Sequence, residues 1–380
     1  MQNEGDAAPI YLDHNASTPV PARVRQAMMA ALEEGFGNPS ATHAYGRRAR
    51  AIVERARSRV AALIGCDDDE IVFTGGGTEA NNLALRGVAL KAGAAGLTMV
   101  MSNVEHPATV EPAGVLAAAG AVILGVPVDR RGLLDPAAVD HALSRARGPA
   151  LVSVILAQNE TGVIQPVAEI AARARARGAV VHSDAAQAVG KIDVRVRRLG
   201  VDLLSIAGHK LYAPKGVGAL YVRRGVEIAP VVVGAGHERG LRPGTENVAG
   251  IAALGEACAL ARESLAAEAD RQRALRDRLE AKLGAAGFVV HGAGVDRLPN
   301  TVNGRFPGVR GSVLLSRVPE IAATTGSACH AGEEHASAVL TAMGIAAEDA
   351  LGAVRLTLGR GTTEEEIDRA ADLLIAAARA

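Results

Sequence analysis

The sequence predicts a two-domain α/β protein in which helices flank a mostly parallel sheet. Three observations lead there. Helical and strand patterns alternate along the chain, as in successive strand–helix–strand units. The chain has 380 residues, more than one hydrophobic core usually serves. Apolar residues make up 49% of it but aromatics only 2%, so small side chains must let the helices sit close on the sheet.

The elements follow in order. "PARVRQAMMAALEEG" and "GRRARAIVERARSRVAALIG" are amphipathic and each stops at a glycine, so both read as helices. "EIVFT" is a short strand and "TEANNLALRGVALKAG" a helix. "LTMVMS", "AVILGVPV" and "ALVSVILA" are strands, separated by helical stretches such as "DPAAVDHALSRAR". "VAEIAARARARG" is a helix leading into the strand "AVVHSD", and "DLLSIAGHK" and "VGALYVRR" come next. A long helical tract from Ile251 to Gly284 reads as the link between domains. The remainder, Phe288 to Ala380, mixes short strands and helices, and "IYLD" near the start is expected to return to it. The expected division is residues 17–258 for the large domain, and residues 1–16 with 259–380 for the small one.

The formal net charge is zero, which gives no reason to expect nucleic acid or an anionic membrane as a partner. The start, "MQNEGDAAPIYLDHNAS", has no basic segment followed by an apolar run, and no stretch is apolar enough to span a bilayer. A soluble, cytoplasmic protein is expected. The three cysteines, Cys66, Cys258 and Cys329, lie far apart and form no C-x-x-C pair. Neither a disulfide framework nor a zinc site is suggested. Cys66 and Cys258 read as small core residues.

"FTGGGTEANN" places Gly75, Gly76 and Gly77 between a strand and a helix beginning near Thr78. Glycines allow close approach of a ligand, and the first helical N–H groups attract an anion, so the stretch reads as a phosphate cup. Two other readings stand beside it. Gly75, Gly77 and Ala80 match the G-x-G-x-x-A of dinucleotide-binding enzymes, although no carboxylate follows where a ribose ligand belongs. The blander one is a helix start with glycine-rich packing.

Asp184 ends the strand "AVVHSD", and Lys210 ends the strand "DLLSIAGHK". Strand ends are where open α/β sheets bind ligands, though Asp184 alone reads equally as a helix cap. Together with the cup they form a set. A pyridoxal cofactor needs a lysine for its Schiff base, a carboxylate for its pyridinium nitrogen and an anion site for its phosphate. Loop residues then acquire roles: His106 as a stacking acid–base group, Asn159 and Gln187 as partners of the ring hydroxyl, and His209 toward the phosphate.

These motifs, with "YLDHNASTP", "GNPSATHAYGRRAR", "EHPAT", "NETGVIQPV", "HSDAAQAVGK", "GHKLYAPKGVGALYVRR", "RPGTENVAGI", "GSACHAG" and "VRLTLGRGTTEEEID", resemble the NifS/IscS-type cysteine desulfurases in colinear order. That resemblance implies pyridoxal-phosphate fold type I: a large domain with a mostly parallel seven-stranded sheet between helices, and a smaller α+β domain. It implies Lys210 as the Schiff-base lysine, Asp184 at the pyridinium nitrogen and His106 on the ring. Gly77, Thr78 and His209 would hold the phosphate, joined by Thr245 from the partner of a homodimer. Asn38, Asn159 and Arg355 would bind the substrate, Arg355 through a two-pronged carboxylate contact. One position departs: Ala207 stands where the family usually has a phosphate-binding serine, and Ser205 lies on the same strand face. Weaker cofactor binding without loss of activity is expected.

Cys329 sits in "GSACHAGEEH" among small and polar residues, as suits a reactive thiol. His330 and His335 are placed to favour its thiolate but lack a partner set for a metal. The implied reaction turns L-cysteine into L-alanine, leaves a persulfide on Cys329, and passes the sulfur to an acceptor protein or scaffold. "GSACH" also resembles selenocysteine lyase, which keeps L-selenocysteine as an alternative substrate. Another class-V enzyme and a nicotinamide dehydrogenase are the further rivals.

Overall fold

A computed structural model describes residues 8–325 and 335–380. Strand β1 (Ile10–Tyr11) precedes two helices, α1 (Ala22–Glu34) and α2 (Ala44–Ile64), the latter closed by Gly65 in the left-handed region at φ 72°. Strand β2 (Ile71–Thr74) then runs into α3 (Gly77–Ala92). Alternation follows through β3 (Thr98–Ser102), α4 (Pro107–Ala118), β4 (Val122–Val126), α5 (Pro136–Leu143), β5 (Ala150–Ser153), α6 (Val167–Ala176) and β6 (Val180–Asp184). A short turn of helix, α7 (Val196–Leu199), leads to β7 (Leu203–Ala207) and β8 (Gly218–Val222).

These strands form one seven-stranded sheet in the order β2-β8-β7-β6-β5-β3-β4. It is parallel except for β8, which runs antiparallel to both β7 and β2. The α/β architecture and the seven-stranded sheet match the expectation. The sequence-predicted strand "ALVSVILA" is shorter than expected, because β5 stops at Ser153 and residues 154–157 leave the ladder. They do so at the carboxyl edge, where Val154 and Leu156 N–H groups reach across to the His182 and Asp184 carbonyls.

Helix α8 (Val248–Ala285) is 38 residues long, roughly 57 Å at the helical rise. Its first half, including Leu254, Ala257 and Cys258, packs into the core around the sheet. Its second half presents Leu275, Leu279 and Leu283, one residue per turn, to a separate apolar cluster. That cluster gathers Ile10 and Leu12 from the chain's start with β9 (Val289–Val290), β10 (Thr301–Arg305), α9 (Gly311–Ser316), β11 (Ile321–Ala322), β12 (Val354–Thr357) and α12 (Glu364–Arg379). Between β11 and β12 lie two short helices, α10 (Ala338–Ala342) and α11 (Ala347–Ala350). β12, β10 and β9 form an antiparallel sheet, and β1 pairs in parallel with β11. α12 begins with a capping box in which Thr363 and Glu366 satisfy each other's backbone N–H groups. Among the described residues no helix is long and apolar enough to cross a membrane.

Candidate active site

The carboxyl ends of β6 and β7 open into a cavity of about 370 Å³. Gly77, Thr78, His106, Asn159, Asp184, Gln187, Ala207, His209, Lys210 and Arg355 all line it. Nine of the positions singled out in the sequence therefore meet in one place, and Ala207 with them. Asn38 and Thr245 do not line it and are exposed. Cys329 and His330 lie outside the described residues, and His335 is exposed at the far side of that segment.

Lys210 follows β7 and turns its amine back beneath the N-terminal segment. Its Nζ donates to the Asn15 carbonyl (2.6 Å) and the Ala16 carbonyl (2.8 Å). Burial, reinforced by the Arg355 charge and opposed by Asp13 and Asp184, pulls its pKa down from 10.5 to about 8. A lysine so placed has a substantial population of free amine near neutrality, the form that attacks a carbonyl.

Asp184 is buried at the end of β6. Asn81, one turn into α3, donates to Oδ2 (2.7 Å), and the Ala186 N–H donates to Oδ1 (2.9 Å). Each oxygen keeps a lone pair for a further donor. His106 lies in a loop as expected and, as its last residue, is the N-cap of α4, a helix that begins with Pro107. Its Nδ1 accepts from the Ala108 N–H (3.0 Å), so a neutral ring carries its proton on Nε2. Burial lowers its pKa, against the pull of Asp184 and with the push of Lys210. His209 is also held neutral, its pKa lowered to about 4 by burial and by Lys210 and Lys215.

Arg355, on β12, donates to the Asp13 carboxylate (2.8 Å) and the Asn159 carbonyl (3.1 Å). Its Nε is buried and has no hydrogen-bonding partner among the described residues. The guanidinium lines the cavity, where its planar set of donors suits an anion.

The glycine run leads into α3 as an open backbone cup that lines the cavity. Gly76 caps α3 at φ 152°, and no side chain caps that end. The Glu79 carboxylate takes the Gly75 N–H (2.8 Å), leaving the first N–H groups of α3 facing outward. A Cβ on Gly77 would lie 3.0 Å from that of Ala207, and one on Gly218 would strike Gly76 at 2.8 Å, so the cup needs glycine at both places. The dinucleotide alternative fails on topology. β2 pairs only with the antiparallel β8 at the sheet's edge, whereas the dinucleotide fold needs a parallel strand opening a strand–helix–strand unit. Ser205 shares the face of Ala207 but cannot serve the cup, because it is fully buried and its hydroxyl is bonded to His182 Nε2 (2.9 Å).

Sequence reasoning missed three contributors. Asn81 fixes Asp184, Asp13 shares Arg355, and Asn15 receives Lys210. Asn15 and Asp13 stand in "YLDHNASTP" and Asn81 in "TEANN", both motifs that were singled out without these side chains being assigned.

Comparison with known proteins places this geometry among relatives. A family model described as aminotransferase class-V matches residues 10–370. The cysteine desulfurase IscS of Dictyoglomus turgidum is 43% identical over 369 residues, covering 96% of this chain and 93% of that one. A solved structure described as a NifS-like protein superposes with a TM-score of 0.90 at 35% identity, over 97% of this chain and 98% of that one. Another, SspA in complex with cysteine, gives 0.81 at 32% identity, over 92% and 98% of the two chains.

Proposed function

The chain belongs to the class-V aminotransferase family, and on that premise we propose that it is a pyridoxal-phosphate-dependent cysteine desulfurase. One observation carries the reading. A lysine with a lowered pKa, a buried carboxylate, a helix N-terminus without a side-chain cap and an arginine share one cavity. Each fits a different part of the cofactor–substrate pair. The N-terminus of α3, with Thr78 and His209, suits the phosphate. Asp184 suits a cationic ring nitrogen, and Arg355 with Asn159 suits the carboxylate of an amino acid.

When bound, the cofactor supplies an electron sink conjugated to the α-carbon of the substrate. The protein's own groups do the rest. Lys210 would hold the cofactor covalently until substrate replaced it, and its freed Nζ would take the α-proton. His106 carries an exchangeable proton on Nε2. Asp184 would keep the ring nitrogen protonated. Cys329 attacks the substrate sulfur, so the carbon–sulfur bond breaks with its electron pair left on carbon. That carbon takes up a proton, the α-carbon regains its own from Lys210 Nζ to give alanine, and Cys329 is left as a persulfide for an acceptor. The described residues flanking the Cys329 segment support delivery to this cavity. The Thr324 carbonyl accepts from the Arg355 N–H (2.7 Å), and Ser337 donates to Glu160 (2.6 Å), beside Asn159.

The relatives' names and the cysteine-bound neighbour support cysteine over selenocysteine as substrate. Mass spectrometry of the protein after incubation with L-cysteine tests the reaction. A gain of one sulfur on the Cys329 peptide, with alanine released, is expected. Alanine formed at full rate by Cys329→Ala would reject the persulfide route, and faster turnover of L-selenocysteine through the same site would favour a lyase.

A further inference from the structure

A second lysine lies under the first. Lys191 follows Gly190, whose left-handed φ of 82° turns the chain inward, and its side chain is buried with no carboxylate partner among the described residues. Its Nζ donates to Asn15 Oδ1 (2.8 Å) and Gln187 Oε1 (2.6 Å). Gln187 Nε2 in turn donates to the Asn15 carbonyl (2.8 Å), the same oxygen that accepts from Lys210. Asn15 Nδ2 is committed to Thr301 Oγ1 (3.0 Å) and the Asn159 carbonyl (3.3 Å). Lys191 is therefore linked, through Asn15 and Gln187, to two further residues that line the cavity, Lys210 and Asn159.

This arrangement settles which way the Gln187 amide points. With a carbonyl on the side away from Lys191, a flipped amide would set its oxygen against the Asn15 carbonyl oxygen. The orientation found leaves one Gln187 N–H for the cavity. We propose, resting on the pyridoxal-phosphate reading, that Lys191 is a positioning residue: it fixes the Gln187 amide as a hydrogen-bond donor to the cofactor's ring oxygen and braces the Asn15 carbonyl that receives Lys210. Burial, with the Lys210 and Arg355 charges, drives the Lys191 pKa well below its ordinary value. As a neutral amine it has two N–H groups, which matches its two oxygen acceptors.

The test is a double-mutant cycle on cofactor affinity, read by absorbance titration of cofactor-free protein. Lys191→Met keeps the length and removes the donors, at a modest stability cost because the buried Gln187 Oε1 loses its partner. Its thermal midpoint should stay within a few degrees of the parent, while the cofactor dissociation constant rises about 10-fold, the size of one lost hydrogen bond to a charged group. Gln187→Leu should weaken binding similarly, and the double variant should bind no worse than Gln187→Leu alone. Lys191→Gln, which retains a donor at shorter reach, should fall between parent and Lys191→Met and serves if the latter does not fold. Unchanged affinity in Lys191→Met or Lys191→Gln, or losses that multiply in the double variant, would overturn the proposal. A parent protein that fails to bind the cofactor at all would instead reject the functional reading beneath it.

Discussion

At Lys210, burial and the Arg355 charge outweigh the attraction of Asp13 and Asp184 and leave the amine with a pKa of about 8. The sign of the consequence is definite. Between that value and the ordinary 10.5, the unfolded chain binds more protons at this position than the folded one. Stability from this group therefore rises with pH across the window, and the cost of burying the charge is fully present below it. Denaturation of cofactor-free protein should show Lys210→Met gaining on the parent below pH 8 and losing that advantage toward pH 10. Parallel profiles for the two proteins would refute the shift. Lys210 and Asp184 were legible in the sequence because each closes an apolar strand, where a polar residue has little reason to be unless a ligand site is there. Asn15 was not, because its role arises only when folding brings it to a lysine 195 positions away. Asn81 likewise reads as one more polar residue on a helix until α3 lies across the end of β6.

Helix α3 and strand β7 meet at the cup, where Gly77 faces Ala207 without a Cβ of its own. Their approach explains both the glycine run and the effect of losing the usual serine. With Ser205 bonded to His182, nothing on β7 supplies a hydroxyl to the helix terminus. Ala207→Ser restores one, and a hydrogen bond to a charged group is worth about 1.5–3 kcal/mol. The cofactor dissociation constant, measured by titrating cofactor-free protein, should fall about 10-fold or more. An unchanged or weaker constant would mean that the phosphate sits elsewhere. The strand pattern was readable because short apolar runs alternate with amphipathic helices, but the direction of β8 was not. Pairing partners are chosen across the sheet, and nothing within "VGALYVRR" distinguishes an antiparallel insertion from one more parallel strand. Nor did "EHPAT" disclose that His106 caps a helix, since histidine is not among the usual N-cap residues.

Seen as a whole, the molecule leaves two of its expected site residues on its exterior. Thr245 and Asn38 are both exposed, and large apolar side chains are exposed too, among them Phe36 at 70% and Val233 at 84%. Such exposure is what a protein–protein contact would cover. The homodimer reading, in which Thr245 completes the partner's phosphate site, makes a prediction that a self-contained subunit does not. Co-expressed Lys210→Ala and Thr245→Ala chains should form mixed dimers with one intact site, binding cofactor at parental affinity in half of their sites. If Thr245 served its own subunit, no mixed site would be intact and the tight-binding fraction would be absent.

The central claim is a covalent one, that the cofactor's aldehyde is held by the amine of Lys210. Two lysines, the half-buried Lys210 and the buried Lys191, lie near the cavity, and only one of them is expected to react. The protein should be saturated with pyridoxal phosphate, reduced with borohydride, digested and mapped by mass spectrometry. The account predicts a single pyridoxyl-bearing peptide, with the modification on Lys210. No modified peptide, or the modification on Lys191 or any other lysine, would contradict it.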